Sequence, residues 1–349
     1  MSSHVGIKKH LLSAAVLLFS ILQLPTLVFG SDAASYGAVS PSINELVSDI
    51  DHSRQSVIVS IYSILQPGLA KTSSNKDHPV LAALVRAKQR GVAVSLLLNS
   101  FDESSRYIDT LLQQRERQWC QQQHMTCYWS SAAFSHSHQK IILIDGRMGY
   151  ILTGNLPWCW ASSVCAVNYA YKITNPAIIS YLIQLYYSDL WNSRHHARFT
   201  PKAIPTDLVV SPLNSSKVIS EFIRKTQNTL DIEQPFLTNK KHIPRHILLA
   251  LQSVLDRGVV VRIITSVTKS QKHPHLNADL KKLQSQYPNL QIRISPSSQF
   301  VHAKVLLQDS SRLLIGSVNW SYSAFYHNRE VSIILSNKAA TGGLMRDFS

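Results

Sequence analysis

Acidic residues are scarce in this sequence. Its 349 positions hold 20 Asp and Glu residues against 35 Lys and Arg residues, a formal net charge of +15. Such an excess favours polyanionic partners, namely nucleic acid, anionic lipid surfaces or phosphorylated substrates, although a basic solvated surface would also produce it. Hydrophobic residues make up 45% of the chain, which argues against disorder and allows one large core or two ordinary ones.

Cysteine is also sparse, and no Cys-x-x-Cys pair occurs. The four cysteines are Cys120, Cys127, Cys159 and Cys165. Their spacing disfavours a zinc site. An even count in an exported protein indicates disulfides, and three connectivities are open. Of these we expect the local pairs Cys120–Cys127 and Cys159–Cys165.

Long apolar runs are absent beyond the N-terminus. A pair of lysines precedes an apolar run over residues 11–29. Val28 and Gly30 are small enough for the −3 and −1 positions of a signal-peptidase cleavage site. This pattern predicts a signal peptide over residues 1–30 and a secreted or periplasmic protein. The alternative is an uncleaved membrane anchor, because the run is just long enough to span a bilayer.

The rest of the chain contains the same order of elements twice. In each copy a helix ends at Arg-Gly-Val, at residues 90–92 and 257–259, and a β-branched strand follows. Glycine suits a helix C-terminus because it adopts a left-handed backbone conformation without strain. Strands that alternate with helices predict an α/β sheet in each half, over residues 31–195 and 205–349, with a linker near residues 192–207.

One motif occurs in each copy. A histidine is followed by a lysine at +2, an aspartate at +7, a hydroxyl residue at +15 and an asparagine at +17. These residues are His138, Lys140, Asp145, Thr153 and Asn155 in the first copy, and His302, Lys304, Asp309, Ser317 and Asn319 in the second. A histidine two residues before a lysine on a strand shares a face with it. Two such sets that converge could cleave a phosphodiester without a metal or other cofactor, and the lysines would repel a divalent cation.

The pattern resembles the phospholipase D superfamily, whose repeated motif is His-x-Lys-x4-Asp followed by Gly-Ser/Thr-x-Asn. The resemblance covers about residues 36–336. It implies an α/β fold of two tandem domains, each a mixed β-sheet flanked by helices, related by a pseudo-twofold axis. Both motifs would then meet in one cleft. A single chain would complete the site, so a monomer suffices.

The resemblance also implies roles for the motif residues. His138 would attack phosphorus and form a phosphohistidine, while His302 would protonate the leaving oxygen and then activate water. The two lysines and two asparagines would hold the non-bridging oxygens. Thr153 and Ser317 would be supporting hydroxyls. The two aspartates complete the catalytic motif, and we expect them to orient or support it rather than attack.

A carboxylate in this family often binds Nδ1 of a reacting histidine, and Glu330 lies 28 residues after His302. Glu330 therefore joins the predicted substrate site. The first copy has no acid in the equivalent region. His138 is accordingly expected to fix its tautomer through Asn168 or a backbone carbonyl, and a neutral partner orients the ring without raising its basicity.

Several substrates fit the sequence. Aromatic residues follow both asparagines and would wall a head-group pocket, enter a bilayer interface, stack on bases or fill the core: Trp158, Trp160, Trp320, Tyr322, Phe325 and Tyr326. We expect a phospholipase D that hydrolyses phospholipids to phosphatidate and a free head group. The alternatives are a metal-independent endonuclease, which the segment 316–321 resembles, a phosphatidyltransferase of the cardiolipin synthase kind, and a non-catalytic module that binds anionic lipid or nucleic acid.

Overall fold

A computed structural model describes residues 43–65, 78–101, 107–156, 167–237, 243–267, 276–296 and 300–336, all within one compact unit. The predicted signal peptide, the predicted Cys159–Cys165 pair and the aromatic residues Trp158 and Trp160 lie outside these ranges. Every helix within them is too short or too polar to cross a bilayer.

The first half contains a mixed sheet flanked by helices. Its strands are β1 (Ser56–Ile61), β2 (Ala93–Leu98), β3 (Thr126–Trp129), β4 (Lys140–Ile144), β5 (Met148–Leu152) and β6 (Ala170–Ile173), and its helices are α1 (Ile43–Asp51), α2 (Pro79–Gln89), α3 (Tyr107–Gln122) and α4 (Pro176–His195). The strand order is β3-β2-β1-β4-β5-β6. Strands β1 to β3 are parallel, and β4 to β6 are antiparallel. Helix α4 extends to His195, into the segment predicted as a linker, because Asn192 is buried there and its side chain bonds the backbone of Phe199.

The second half repeats this arrangement with one added strand. Its elements are β7 (Leu208–Ser211), α5 (Ser215–Arg224), β8 (Thr229–Glu233), α6 (Arg245–Leu255), β9 (Val260–Ser266), α7 (Ala278–Gln286), β10 (Leu290–Ser295), β11 (Val305–Gln308), β12 (Arg312–Gly316), α8 (Tyr322–Tyr326) and β13 (Glu330–Leu335). The strand order is β10-β9-β8-β11-β12-β13-β7. The predicted mixed sheet with flanking helices is therefore confirmed in both halves.

Equivalent glycines end the second helix of each half. Gly91 has φ +88° and Gly258 has φ +81°, both in the left-handed region. Each turn leads directly into a parallel strand, β2 or β9. The Arg-Gly-Val pattern thus marks the point where each helix reverses onto its sheet, as the sequence predicts.

The two sheets share a hydrophobic core. Ile141 and Leu143 of β4 pack in one cluster with Val305 and Leu307 of β11. The alternate residues of β4, Ile142 and Ile144, pack instead with α1 and α2. Because β4 is buried on both faces, it reads as a continuous apolar run rather than an alternating one. The shared core thus packs β4 and β11, the strands that follow the two histidines, against each other.

Candidate active site

Backbone hydrogen bonds between the halves hold both histidines. The amide of His138 donates to the carbonyl of Arg329 over 2.8 Å, and the amide of His302 donates to the carbonyl of Val167 over 3.0 Å. Short parallel bridges accompany these bonds, Ser137 with Arg329 and Val167 with Val301. Each histidine is therefore positioned by the segment of the other half that carries its side-chain partner.

The side-chain partners of the histidines are exchanged between the halves. Nδ1 of His138 lies 2.8 Å from Oε2 of Glu330, and Nδ1 of His302 lies 3.1 Å from Oδ1 of Asn168. The expectation that His138 uses Asn168 or a backbone carbonyl is therefore wrong. The acid that follows the second histidine serves the first one, because the halves cross-pair. Glu330 is fully buried and also accepts from Asn328, so it contacts the histidine and not the pocket.

Both motif lysines are buried beside their histidines. Nζ of Lys140 donates to the carbonyl of His138 over 2.5 Å. Nζ of Lys304 donates to the carbonyl of His302 over 2.6 Å and to that of Thr153 over 3.1 Å, and lies 3.1 Å from Nε2 of His302. Two buried lysine amino groups lie near one buried carboxylate, so the site holds more basic than acidic groups and suits an anion.

Burial and the positive charge of neighbouring groups lower the pKa of both histidines and both lysines, so these side chains lose a proton more easily than in water. Burial lowers the pKa of His138 to about 4, although Glu330 opposes this. Burial, Lys304 and Lys140 lower the pKa of His302 well below its usual range. Burial lowers the pKa of Lys140 to about 7, and burial with Lys140 depresses the pKa of Lys304. A bound phosphodiester anion would reverse much of this effect, since it stabilises every cation around it.

One pocket joins the two motifs. Its volume is about 440 Å³, and both histidines and both asparagines line it. Oδ1 of Asn155 and Oδ1 of Asn319 are buried and have no hydrogen-bond partner in the described ranges. The structure therefore brings His138, His302, Asn155 and Asn319 to one cavity.

The two hydroxyl residues lie one layer below the pocket. The Thr153 hydroxyl accepts from the amide of Tyr169 over 2.8 Å and lies 3.2 Å from Oδ1 of Asn168. The Ser317 hydroxyl accepts from the amide of Val331 over 3.0 Å. Each hydroxyl thus supports the residue that follows a histidine partner, which matches the supporting position expected from the sequence.

The motif aspartates are not near the histidines. Asp145 accepts from the amides of Arg54, Gln55 and Ser56, at the far end of β4. Asp309 makes the same bonds to the three residues that precede and begin β8. Six residues lie between His138 and Asp145, and five of them form β4, which spans about 16 Å. The two aspartates belong to the motif but not to the pocket: they tie β4 to β1 and β11 to β8, which agrees with the supporting role expected from the sequence.

A model of the PLD-like domain of cardiolipin synthases matches residues 46–191 and 219–349, and so covers both motifs. The chain belongs to this family. It is 23% identical over 329 residues to cardiolipin synthase A of Buchnera aphidicola, which covers 85% of this chain and 64% of that protein. An uncharacterised protein of Streptococcus mutans is 22% identical over 60% of this chain and 49% of its own length. The chain thus spans about half to two thirds of these relatives.

Two solved structures share the two-domain PLD-like fold. Phosphatidylserine synthase of Haemophilus influenzae superimposes with a TM-score of 0.60 at 14% identity, over 90% of this chain and 85% of that one. Polyphosphate kinase of Porphyromonas gingivalis superimposes with a TM-score of 0.57 at 14% identity, over 90% of this chain and 49% of that one. At such identities the likeness concerns the fold.

Beneath the PLD-like site lies an ion pair that the sequence patterns do not reveal. The fully buried Arg329 contacts Asp189 of α4 at 2.8 Å and also donates to the hydroxyl of Thr200. Gln139, between the motif histidine and lysine, donates to Asp189 and to Ser60. This network joins the two halves directly behind Glu330. The sequence shows only that Arg329 precedes Glu330, and its partner Asp189 is 140 residues away.

The remaining PLD-like site predictions have mixed outcomes. The Cys120–Cys127 disulfide is present and joins α3 to β3, so that pairing is confirmed. Trp320 is buried and lines the pocket, whereas Phe325 is fully buried core and Tyr322 is 63% exposed. Within the described ranges, no group of three or more potential ligands is placed to hold a metal ion.

Proposed function

We propose that this protein is a phospholipase D-type phosphodiesterase that hydrolyses phospholipids to phosphatidate and a free head group. The observation that carries the proposal is the pair of histidines on one pocket with unequal partners, a carboxylate for His138 and an amide for His302. Unequal partners suit a covalent mechanism, in which one histidine attacks and the other exchanges a proton.

In the first step, Nε2 of His138 attacks phosphorus while the bond from phosphorus to the head-group oxygen breaks. Nδ1–H of His138 donates to Glu330, so the Nε2 lone pair points away from the carboxylate and stays available. The ring becomes positively charged as the P–N bond forms, and the buried carboxylate of Glu330 stabilises that charge. The low pKa of His138 keeps it unprotonated before attack.

His302 supplies the proton that the departing oxygen needs. Its pKa is depressed by burial and by Lys304 and Lys140. The substrate phosphodiester brings a negative charge beside the ring, which raises the pKa and favours the protonated form. In the second step neutral His302 takes a proton from water, the resulting oxygen attacks phosphorus, and the P–N bond breaks to release phosphatidate and free His138.

The lysines and asparagines bind the phosphoryl oxygens in this scheme. Lys140 and Lys304 carry the positive charge, and each asparagine turns its amide towards the pocket. An amide rotates between donor and acceptor orientations at little cost, so Asn155 and Asn319 can donate to the anion. Loss of one such donor would cost on the order of 10²–10³ in rate.

A second reaction uses the same geometry. If an alcohol replaces water in the second step, the phosphatidyl group is transferred instead of hydrolysed. The match to the PLD-like domain of cardiolipin synthases favours this alternative. The choice between the two depends on which acceptor reaches His302 while the intermediate persists.

Turnover in chelator separates these possibilities. We would incubate the full-length protein with phosphatidylcholine, phosphatidylglycerol, cardiolipin or single-stranded DNA. Phosphatidate from any lipid supports hydrolysis, and cardiolipin with free glycerol from phosphatidylglycerol supports transfer. Cleavage of DNA with no lipid turnover would overturn the proposal in favour of a nuclease, and no turnover of any substrate would favour a binding module.

Trapping the intermediate tests the roles of the histidines. In His302→Asn, attack by His138 proceeds slowly and breakdown lacks its base, so a phosphatidylated His138 should accumulate and be seen by peptide mass spectrometry. His138→Asn should show no adduct and lose at least about 10³-fold in rate. His52→Asn, a change at an exposed histidine, is the matched control and should leave turnover unchanged.

A further inference from the structure

The outer face of α4 exposes large aromatic side chains. Tyr187 and Trp191 are 58% and 49% exposed, and Phe199, just beyond the helix, is 55% exposed. The rings of Trp191 and Phe199 are 6.5 Å apart, and Trp191 stacks on His195 at 4.3 Å. We call Tyr187, Trp191 and Phe199 the aromatic patch. Large exposed aromatic groups are costly in water and mark surfaces that contact something else.

The patch is surrounded by positive charge. Arg194, Arg198 and Lys202 are exposed around it, together with His195 and His196. Between residues 184 and 202 the one acidic residue is Asp189, which is buried and paired with Arg329. A surface of aromatic rings within a basic rim is complementary to an anionic lipid interface, where tryptophan and tyrosine sit at head-group depth and cations contact the lipid phosphates.

The last turn of α4 lies at the same edge of the sheet as the pocket. The Ser193 hydroxyl donates to the carbonyl of Trp129, and the Ser131 hydroxyl donates to that of Ala197. Both bonds attach α4 and the segment after it to the C-terminal end of β3. Strands β1, β2 and β3 are parallel, and β1 leads directly into Tyr62 of the pocket wall.

Contacts continue from the patch to the pocket mouth. Arg198, next to Phe199, donates to the carbonyl of Tyr326 over 2.9 Å. The ring of Tyr326 is 4.7 Å from that of Tyr322, which is exposed. Ser321 and Ser323, on either side of Tyr322, line the pocket. Exposed aromatic and basic groups therefore extend from α4 to the opening over both histidines.

We infer that the aromatic patch and its basic rim dock the protein onto an anionic phospholipid bilayer, with the pocket mouth turned towards the lipid. The role of this docking rests on the proposed function, because docking would bring a substrate in the bilayer to His138. The charge of the rim selects an anionic surface, and the rings supply the apolar contact.

Three variants of the full-length protein test this docking surface. The patch variant combines Tyr187→Ser, Trp191→Ser and Phe199→Ser. The charge variant combines Arg194→Glu and Lys202→Glu. The matched control combines Leu213→Ser and Leu249→Ser, which remove two similarly exposed apolar side chains from other elements.

The first measurement is sedimentation with vesicles of phosphatidylglycerol and phosphatidylcholine in equal parts. The patch variant should bind about tenfold more weakly than the unchanged protein, and the control about equally. The charge variant should lose affinity for these vesicles but not for phosphatidylcholine alone, and added salt should remove the difference. Equal vesicle binding by the patch variant and the control, together with equal quenching in the second measurement, would overturn the inference.

A second measurement reports on the patch itself, because the apolar run at residues 11–29 could hold the full chain on a bilayer. Brominated phospholipid should quench tryptophan fluorescence in the unchanged protein and quench a smaller fraction in Trp191→Phe. An equal quenched fraction in both would show that Trp191 stays in water. Light scattering tests whether a second copy of the protein covers the patch instead. If the patch variant changes from dimer to monomer with unaltered vesicle binding, the patch is a protein interface.

Turnover separates this inference from the proposed function. A short-chain phospholipid below its micelle concentration reaches the pocket without a surface, so the patch variant should hydrolyse it at the unchanged rate while losing activity on vesicles. Vesicle binding without any lipid cleavage would overturn the proposed function and leave the docking surface standing. Equal losses on both substrates would instead place the patch residues in the folding of the site.

Discussion

Nδ1 of His138 and Oε2 of Glu330 are 2.8 Å apart although 192 positions separate the two residues. The bond crosses between the halves, and the matching bond from His302 to Asn168 crosses in the opposite direction. Each half therefore supplies a histidine to the pocket and a partner to the histidine of the other half. Neither motif is complete until both sheets have packed together.

Replacing the carboxylate that holds His138 should damage the first step. In Glu330→Gln the side chain keeps its shape, but the amide loses the charge that stabilises the ring as the P–N bond forms. We expect kcat to fall about 10²–10⁴-fold, by analogy with loss of the carboxylate in a Ser-His-Asp triad. Phospholipid turnover by the purified variant checks this, with Glu330→Asp as a partial rescue. Activity within threefold of the unchanged protein would contradict the pairing as a functional one.

A carboxylate in place of Asn168 should change the pH dependence of His302. In Asn168→Asp the new charge lies beside Nδ1 and raises the pKa of His302. Because the protonated ring donates to the leaving oxygen, the alkaline limb of kcat/KM should move to higher pH. Asn168→Ala is the control and should lower the rate without moving this limb upward. An unmoved limb in Asn168→Asp would remove His302 from the role of general acid.

Gly154 tests the same contact from behind. A Cβ at this position would lie 2.5 Å from Cγ and Oδ1 of Asn168. Gly154→Ala should therefore push the Asn168 amide away from His302 and lower kcat by about tenfold. The double variant with Asn168→Ala should be no slower than Asn168→Ala alone, because both changes act through one bond. Additive losses would mean that Gly154 acts elsewhere.

The motif aspartates should matter for stability and not for chemistry. Partial burial opposes ionisation of Asp145, but the amides of Ser56, Gln55 and Arg54 more than offset it, and its pKa is lowered. Asp145→Asn should lower the free energy of unfolding by about 1 kcal/mol and leave kcat unchanged. The unchanged protein should lose its advantage as the pH falls through the lowered pKa of Asp145, because that carboxylate then protonates. Denaturant unfolding against pH measures this, and a large loss of kcat would be the opposing result.

Glu116 should make stability depend on pH near neutrality. It is fully buried on α3 and accepts from the Ser63 hydroxyl and the amide of Ile64, next to the pocket. Burial raises its pKa to about 7 from about 4.5. The folded state then holds a proton that the unfolded state releases, so the free energy of unfolding should fall as the pH rises between these values.

Glu116→Gln removes that titration and keeps an oxygen that accepts the same bonds. The variant should be more stable than the unchanged protein at pH 8, by up to about 3 kcal/mol, and the difference should vanish near pH 4.5. Thermal unfolding followed at several pH values measures this. Parallel curves for both proteins would show that Glu116 does not titrate in this range.

Local patterns decided much of the fold. The Arg-Gly-Val turns, the apolar strands β4 and β11 and the Cys120–Cys127 pair were all predictable, because each depends on residues within a few positions of one another. Repetition of the motif was likewise sufficient to predict that two histidines, two lysines and two asparagines act together.

The sequence by itself determined which residues we propose for the chemistry, because reactive groups are intrinsic to side chains and the repeat marks them twice. Only the tertiary structure decided which partner holds which histidine and that Arg329 meets Asp189 behind them. It also showed that the motif aspartates lie outside the pocket and that Tyr187, Trp191 and Phe199 are exposed to solvent. These outcomes depend on how the two sheets pack together, and that packing is set by the whole of a shared core rather than by neighbouring residues along the chain.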